Sequence, residues 1–517
     1  MINNDRISKL RSIAVTFVIL NTLLLSSSFA QTTSSPYSRY GIGDIGGKGY
    51  SQGFALGGTH IAMQNDSVPM FFINSGNPAS YTNMKLTTAE LGVNYNRMQL
   101  QNATDKKTIN NASLGYISLA FPIKKWWGAS VGLVPFSAVG YKVSDEQDIT
   151  NIGTVKYLYE GSGGINQVYL GNGIKPFHNV PRKFQNSKKY AQLNSRKHSD
   201  MTLKNCHELY QDNMTIRKTL NRKKLLGSLA LGVNASYLFG DIETVRRSIF
   251  PASMFAFNTR TGTDTRIEGF YFDYGMQMSY GIDSIKTKNY IDAAKTIVDT
   301  CRPVKYRELK EKVKILFGVT FATQSNLNAS IDSLSYSYFN NSLGYEIVKD
   351  TIENTQGTNG KVTLPLSFGF GIGFKKGDRW LVAADFAVQN WSEYKSFGQT
   401  QGLKNSMRVS LGAQYVPNAR ANGEGSYFKR VHYRMGARYT QTALELKNTP
   451  LTEYGVSLGI GFPVGRSFIL QNFSMVNIGV EVGQRGTVTN GLIQENFLKA
   501  TVGFTINDRW FQKPKFD

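Results

Sequence analysis

"RWLVAADFAVQNW", Arg379 to Trp391, is the stretch whose reading decides the fold. In an extended chain Trp380, Val382, Ala384, Phe386 and Val388 fall on one side. Ala383, Asp385, Ala387 and Gln389 fall on the other. A period of two means a β-strand with two different faces. The same alternation runs through "SMRVSLGAQY" (406–415), which sets Met407, Val409 and Leu411 against Arg408, Ser410 and Gly412. It runs again through "RVHYRMGARYT" (430–440). A soluble sandwich also alternates, so two further features separate the cases. The polar faces carry glycine and charge within long strands, as with Gly369, Gly371 and Gly373 or Gly455, Gly459 and Gly461. The apolar faces are continuous and end in aromatics. Trp126, Trp127, Trp380, Trp391 and Trp510 all lie at predicted strand ends, where an interfacial girdle takes aromatic rings. The expected fold is all-β, a transmembrane antiparallel β-barrel.

Working outward, about fourteen such segments follow one another: 86–100, 111–123, 126–145, 153–175, 226–245, 266–283, 311–326, 362–376, 379–394, 404–417, 427–442, 451–463, 466–485 and 490–509. An even number returns both barrel ends to the periplasm, as bacterial single-chain barrels require. The turns "PIKKWWG", "KKGDRW" and "PVGRSF" then fall on the periplasmic side, and the polar connection 327–361 reads as a long outer loop.

Composition agrees. There are 50 Gly and only 14 Pro, and aromatics make up 12%, which suits strands and tight turns. Arg6, Lys9 and Arg11, an apolar run from Ile13 to Leu25, and Ser28-Phe29-Ala30 read as an export signal over 1–30. The net charge of +23 would usually suggest an anionic partner. Much of it lies in one segment, Phe177 to Lys224, with twelve Lys/Arg against three Asp/Glu. In an exported chain that segment reads either as a solvated, partly disordered loop or as a contact for phospholipid headgroups or an acidic periplasmic protein, not for nucleic acid.

Before the first strand lies "GFALGGTHIAMQNDSVPMFFINSGNPASYTN", Gly53 to Asn83. It is too apolar for a free tail and too irregular to cross lipid, where non-helical backbone survives only inside protein. A plug in the barrel lumen meets both constraints. The expected domains are a signal peptide (1–30), an N-terminal hatch (31–84) and a barrel (85–511) with periplasmic insertions at about 177–224 and 285–311.

At this point the chain resembles the FadL-type outer-membrane transporters of long-chain fatty acids and other hydrophobic compounds. Asn77-Pro78-Ala79 matches that family's hatch motif. "LPLSFGFGIGF", "DRWLVAADFAVQNWSEY" and "SMRVSLGAQYVPN" resemble its consecutive strands, with the Trp-Ser element at Trp391-Ser392. The resemblance covers roughly 50–175 and 226–510. It implies a fourteen-stranded barrel plugged by its N-terminus, passing fatty-acid-like molecules in from outside. It also implies a kink in strand three through which ligand leaves sideways.

Pro135, flanked by Gly132, Val134 and Phe136, is the candidate for that lateral opening. The plainer reading is a bulge that adds curvature. Met70, Phe71, Phe72 and Ile73, with Asn77, Pro78 and Ala79, are the hatch candidates for an apolar ligand path, or simply pack the plug against the wall. Arg430, Arg434 and Arg438 form a basic ladder on one lumenal face, either paired with acids such as Asp385 or receiving a carboxylate. No cofactor or metal is expected, and five His without a spaced Ser partner give no enzyme. Cys206 and Cys301, one in each insertion, are expected to form a disulfide in an oxidising periplasm. A metal site at Cys206, His207 and His198 fits no standard zinc spacing. Two functions stay open: a channel for hydrophobic small molecules or lipids, and an accessory barrel of a secretion or assembly machine, bound through the basic insertions.

Overall fold

The computed structural model describes residues 33–64, 71–178, 225–251, 256–282, 313–341, 343–421, 425–467 and 472–508. The signal segment 1–30, Met70, Trp510, Cys206, Cys301 and nearly all of both insertions lie outside these residues. After a short strand β1 (Asp44–Ile45) come β2 (Thr87–Gln101), β3 (Lys106–Lys124), β4 (Trp127–Ile149) and β5 (Gly153–Ile174). They are followed by β6 (Ala230–Ile249), β7 (Asn258–Ile282), β8 (Val313–Ala322), β9 (Ser325–Asn340), β10 (Glu346–Leu364) and β11 (Ser367–Lys376). The chain continues with β12 (Trp380–Gln389), β13 (Lys395–Ser396), β14 (Gln399–Thr400), β15 (Ser406–Tyr415) and β16 (His432–Leu446). It ends with β17 (Thr449–Ser467), β18 (Asn472–Arg485) and β19 (Gln494–Asp508).

β8 and β9 are one wall strand interrupted at 323–324. Both pair with β7, β8 along 273–282 and β9 along 258–268. β10 and β11 form its neighbour in the same way, on β9 and β8. Leaving aside β1, β13 and β14, the wall has 14 antiparallel strands and closes where β19 pairs with β2. Among the described residues no helix is long and apolar enough to cross a membrane, so the strands do it.

The two strand faces are as the alternation predicts. Trp380, Val382 and Phe386 are exposed on the outside, while Ala383 and Asp385 are buried inside. The exposed belt continues through Val409 and Leu411, Tyr433 and Met435, Val456 and Leu458, and round to Leu91 and Val93. Such a belt has no partner in water and is satisfied by lipid. We call the rim where β2 begins and β19 ends proximal, and the opposite rim distal.

Two expectations change here. The stretch 327–361 is a hairpin of wall strands, not a loop, reaching its tip near 341–345. The outer part of β10 is exposed on both faces, Glu346 to Asn359 without exception, so it has no alternation to read. Trp391 belongs to no girdle: it lies in a short 3-10 turn (Trp391–Glu393) and is buried with Ile42, Leu364, Tyr394 and Leu403.

Candidate functional site: a seam in the wall and the hatch that fills it

The hatch is built against the inner wall. A five-residue helix α1 (Ser51–Ala55) leads into Gly57–Ala62, which crosses the lumen. There the carboxylate of Asp385 accepts the backbone N–H groups of His60 (2.6 Å) and Ile61 (2.8 Å). The Gln277 amide donates to the carbonyls of Ile61 and Met63, both at 3.0 Å. Asp385 therefore holds hatch backbone and is not the counterion of an arginine ladder.

Asn77-Pro78-Ala79 is the second pin. The Asn77 side chain caps a 3-10 turn (Pro78–Asn83) by accepting from Ala79 N–H at 3.2 Å, with Pro78 at the first helical position. Its amide nitrogen donates to Ile61 O (2.7 Å) and Met276 O (3.3 Å), tying two hatch segments to β7. This needs glycine on the wall. A Cβ at Gly275 would stand 2.1 Å from Asn77 Oδ1, and one at Gly232 would stand 2.3 Å from the Pro78 carbonyl carbon.

Phe71 and Ile73 are buried in a cluster with Tyr50, Tyr81, Met84, Tyr116 and Tyr169, against which Val134 packs. Tyr50 stacks on Tyr116 with centroids 3.9 Å apart, and its hydroxyl meets Tyr169 Oη at 2.9 Å. Those two hatch residues thus pack the plug against the wall. Phe72 is half-buried at the proximal face.

The basic ladder is only partly there. Arg434 and Arg438 face the lumen, but Arg430 does not. It ends a short helix α2 (Tyr427–Arg430) in the β15–β16 turn, over the Tyr427 ring at 5.5 Å. The strand starts only at His432, so the phase cannot be counted back to position 430. Arg438 is clamped by Glu453 (2.5 Å) and Glu481 (2.8 Å).

The wall itself is incomplete at one place. β3 and β4 pair only from Lys124↔Trp127 to Ile117↔Leu133. Beyond that rung both strands bend. Gly115 is an extra residue in β3 against β2, since Gly92 pairs with Tyr116 and Val93 with Leu114. Phe136 is an extra residue in β4 against β5, since Pro135 pairs with Asn166 and Ser137 with Ile165. Bulges bend the strand that carries them. Pro135, two residues beyond the last β3–β4 rung, has no N–H to donate to a neighbour. β4 thus stays paired with β5, and the break is on its β3 side. The seam begins near Leu114 and Tyr95, at the distal edge of the exposed apolar belt.

The N-terminal segment 33–46 lies in this seam. β1 pairs antiparallel with the free edge of β4, Asp44 to Ala138 and Ile45 to Ser137, and Gly46 N–H donates to Phe136 O at 2.9 Å. On the β3 side the Asn111 amide donates to Ser34 Oγ (2.9 Å); on the β4 side Gly140 N–H donates to Ser38 Oγ (3.0 Å). The segment is also fastened to β18 and β19. Arg485 binds Asp44 (2.8 Å) and Glu495 (2.6 Å), Ser35 Oγ donates to Glu495 (2.5 Å), and Tyr37 Oη donates to Ile493 O (2.5 Å). Behind the seam the distal lumen is apolar: Ile42 of this strap packs with Phe136, Ile165, Leu238, Tyr271 and Leu327. Phe136 meets Tyr271 edge-on at 5.5 Å.

Of the residues singled out in sequence, Pro135 and Phe136 come together with this strap, whereas Val134 packs on the hatch cluster and Phe71, Phe72 and Ile73 lie on the proximal side of the hatch. The strap was not legible. "SSPYSRYGIGDIGG" is short, polar and glycine-rich, with only the Ser35-Pro36 cap signal to mark it. Among the described residues no group of three or more His, Cys, Asp or Glu could hold a metal.

Fold and site together define a transmembrane β-barrel with part of its N-terminal segment packed against the inner wall. The chain belongs to the BamG family, whose profile matches residues 10–211 and 303–517. Comparison with curated protein sequences gives no match. Among solved structures, the Pseudomonas putida toluene transporter TodX aligns at 11% identity and a TM-score of 0.48, covering 90% of this chain and 100% of that one. A Pseudomonas aeruginosa FadL homologue aligns at 11% and 0.47 (90% and 99%). The CymD monoaromatic hydrocarbon channel aligns at 12% and 0.43 (91% and 99%).

Proposed function

We propose that the chain is a passive conduit for hydrophobic, fatty-acid-like compounds in the bacterial outer membrane. In this reading the proximal rim faces the periplasm and the hatch rearranges to let ligand through. Ligand leaves sideways between β3 and β4, and no bond is made or broken. The observation that carries the reading is the unpaired β3–β4 seam, opening at the distal edge of the apolar belt, backed by an apolar lumenal cluster and covered, among the described residues, by strap 33–46. A closed barrel needs every strand paired in lipid, so a wall that gives up its pairing beside an apolar lumenal cluster is arranged for exchange.

The test locks the strap. In a background with Cys206→Ser and Cys301→Ser, Ile45→Cys with Ser137→Cys places two thiols on positions that face each other in register. Oxidised cells should take up a fluorescent long-chain fatty acid several-fold more slowly than the same cells after reductant. Equal uptake in both states overturns lateral exit under the strap. It would favour the second reading, an accessory barrel of an outer-membrane assembly machine, at which the BamG match hints.

A further inference from the structure

Below the hatch, at the proximal mouth, lies a pocket of about 50 Å³, room for a few waters or one carboxylate with a short stem. Its apolar side is made by Met63, Phe71, Phe72, Trp380, Leu381 and Met475. Its polar side holds two buried cationic residues, Arg434 and Lys375, with Gln52, Gln414 and Thr505 beside them.

Arg434 differs from Arg438 and Arg485. Arg438 and Arg485 each hold two carboxylates. Arg434 has neutral acceptors instead: Nε donates to Gln414 Oε1 and Nη1 to Asn477 Oδ1, both at 2.8 Å. For Nη2 there is only His432 Nδ1 at 3.3 Å and the Met475 thioether at 3.8 Å. The nearby acid Glu90 is turned to Thr505 (2.9 Å) and Gln52 (3.3 Å). The carboxylate that lines the pocket, Asp378, lies 3.5 Å from Arg420. A buried cation with a weakly partnered N–H pair beside an open, partly apolar space is costly unless an anion completes it.

We propose that this pocket binds the carboxylate of a single-chain amphiphile, with Arg434 Nη2 as the charged donor and Phe71 and Phe72 against the first carbons of the chain. The site rests on the conduit reading above and deepens it. It gives the cargo a charged head and places a second binding station on the side of the hatch away from the seam.

The experiment uses the full-length protein in lipid nanodiscs and measures equilibrium binding of dodecanoate, dodecanol and acetate. Wild type should bind dodecanoate at least about tenfold tighter than dodecanol, the scale of one charge-assisted hydrogen bond. Acetate should compete poorly. Arg434→Gln should bring dodecanoate down to the dodecanol level without changing dodecanol, and Arg434→Lys should keep part of the preference. Gln64→Glu, at a pocket-lining position that does not hold Arg434, places a rival carboxylate there and should remove the preference even if the arginine variants fold poorly. Dodecanoate binding that neither Arg434→Gln nor Gln64→Glu alters overturns the headgroup site while leaving the conduit intact. Acetate competing as well as dodecanoate overturns the amphiphile assignment. Failure of wild type to bind either twelve-carbon compound removes the conduit reading and this site with it.

Discussion

At the scale of single residues, the hatch depends on side chains whose polar atoms satisfy backbone. Asn77 is fully buried and uses both ends of its amide, the oxygen on Ala79 N–H and the nitrogen on Ile61 and Met276 carbonyls. Asn77→Ala removes the cap and leaves the Met276 carbonyl without this partner, while Gln277 still reaches Ile61 O. A loss of about 1–3 kcal/mol in local stability is expected. Amide hydrogen exchange should read it as roughly a tenfold to hundredfold loss of protection over 55–62, with the wall strands unchanged. Loss spread evenly over hatch and wall would mean that the plug has no stability of its own. At this scale the sequence was readable where a motif had a local mechanism. Asn-Pro-Ala marked an irregular stretch of the hatch, and Pro135 marked a bulge or a break in pairing. It was misleading where phase was carried across a break: Arg430 shares an even position with Arg434 and Arg438, but a helical turn intervenes at 427–430.

At the scale of elements, the lumenal face of β16–β18 is held by one buried charge cluster. Arg438 bridges Glu453 of β17 and Glu481 of β18, and Lys499 of β19 approaches Glu453 at 3.6 Å. Removing one partner of a buried pair strands the other, and here two carboxylates would be left facing each other without the guanidinium that bridges them. Arg438→Ala should therefore destabilise the barrel by about 3–5 kcal/mol, measured as a lower denaturant midpoint in detergent. The triple change Arg438→Met, Glu453→Gln, Glu481→Gln should cost much less, because no charge is stranded. If the single and triple variants unfold together, the cluster contributes by packing and not by charge. Element boundaries were mostly legible, since each spanning strand alternates over its lipid-facing length. The β9–β10 hairpin was not, because the outer part of β10 is exposed on both faces and carries no period that separates it from a polar loop. The β3–β4 seam was legible from one side only. Pro135 marked it, but Gly115, whose bulge bends the facing strand, gave no signal distinct from any other strand glycine.

At the scale of the whole molecule, the wall is taller on one side than on the other. β4, β5, β6, β7, β9 and β10 continue past the apolar belt as a sheet. At about 3.3 Å per residue, Asn258 to Glu268 alone adds roughly 35 Å of strand. Ion pairs cross this extension, with Glu160 between Lys142 (2.6 Å) and Arg247 (2.5 Å) and Glu346 near Arg247 (3.4 Å) and Arg260 (3.6 Å). At the opposite rim the β11–β12 turn is only three residues, Gly377 to Arg379. Bacterial barrels keep short turns in the periplasm and build outward, so the tall sheet should stand outside the cell. The prediction contrasts two insertions of one protease site. Gly344, at the hairpin tip with positive φ and no neighbour near its Cβ direction, should accept the site and be cut on intact cells. The same site at Gly377 should be cut only after the outer membrane is permeabilised. Cleavage of both on intact cells would mean a leaky preparation, which an unmodified periplasmic marker protein would reveal. Cleavage at Gly377 alone would invert the molecule. The seam and strap would then lie toward the periplasmic leaflet, and the Arg434 pocket would open to the medium as the first station met by an incoming amphiphile.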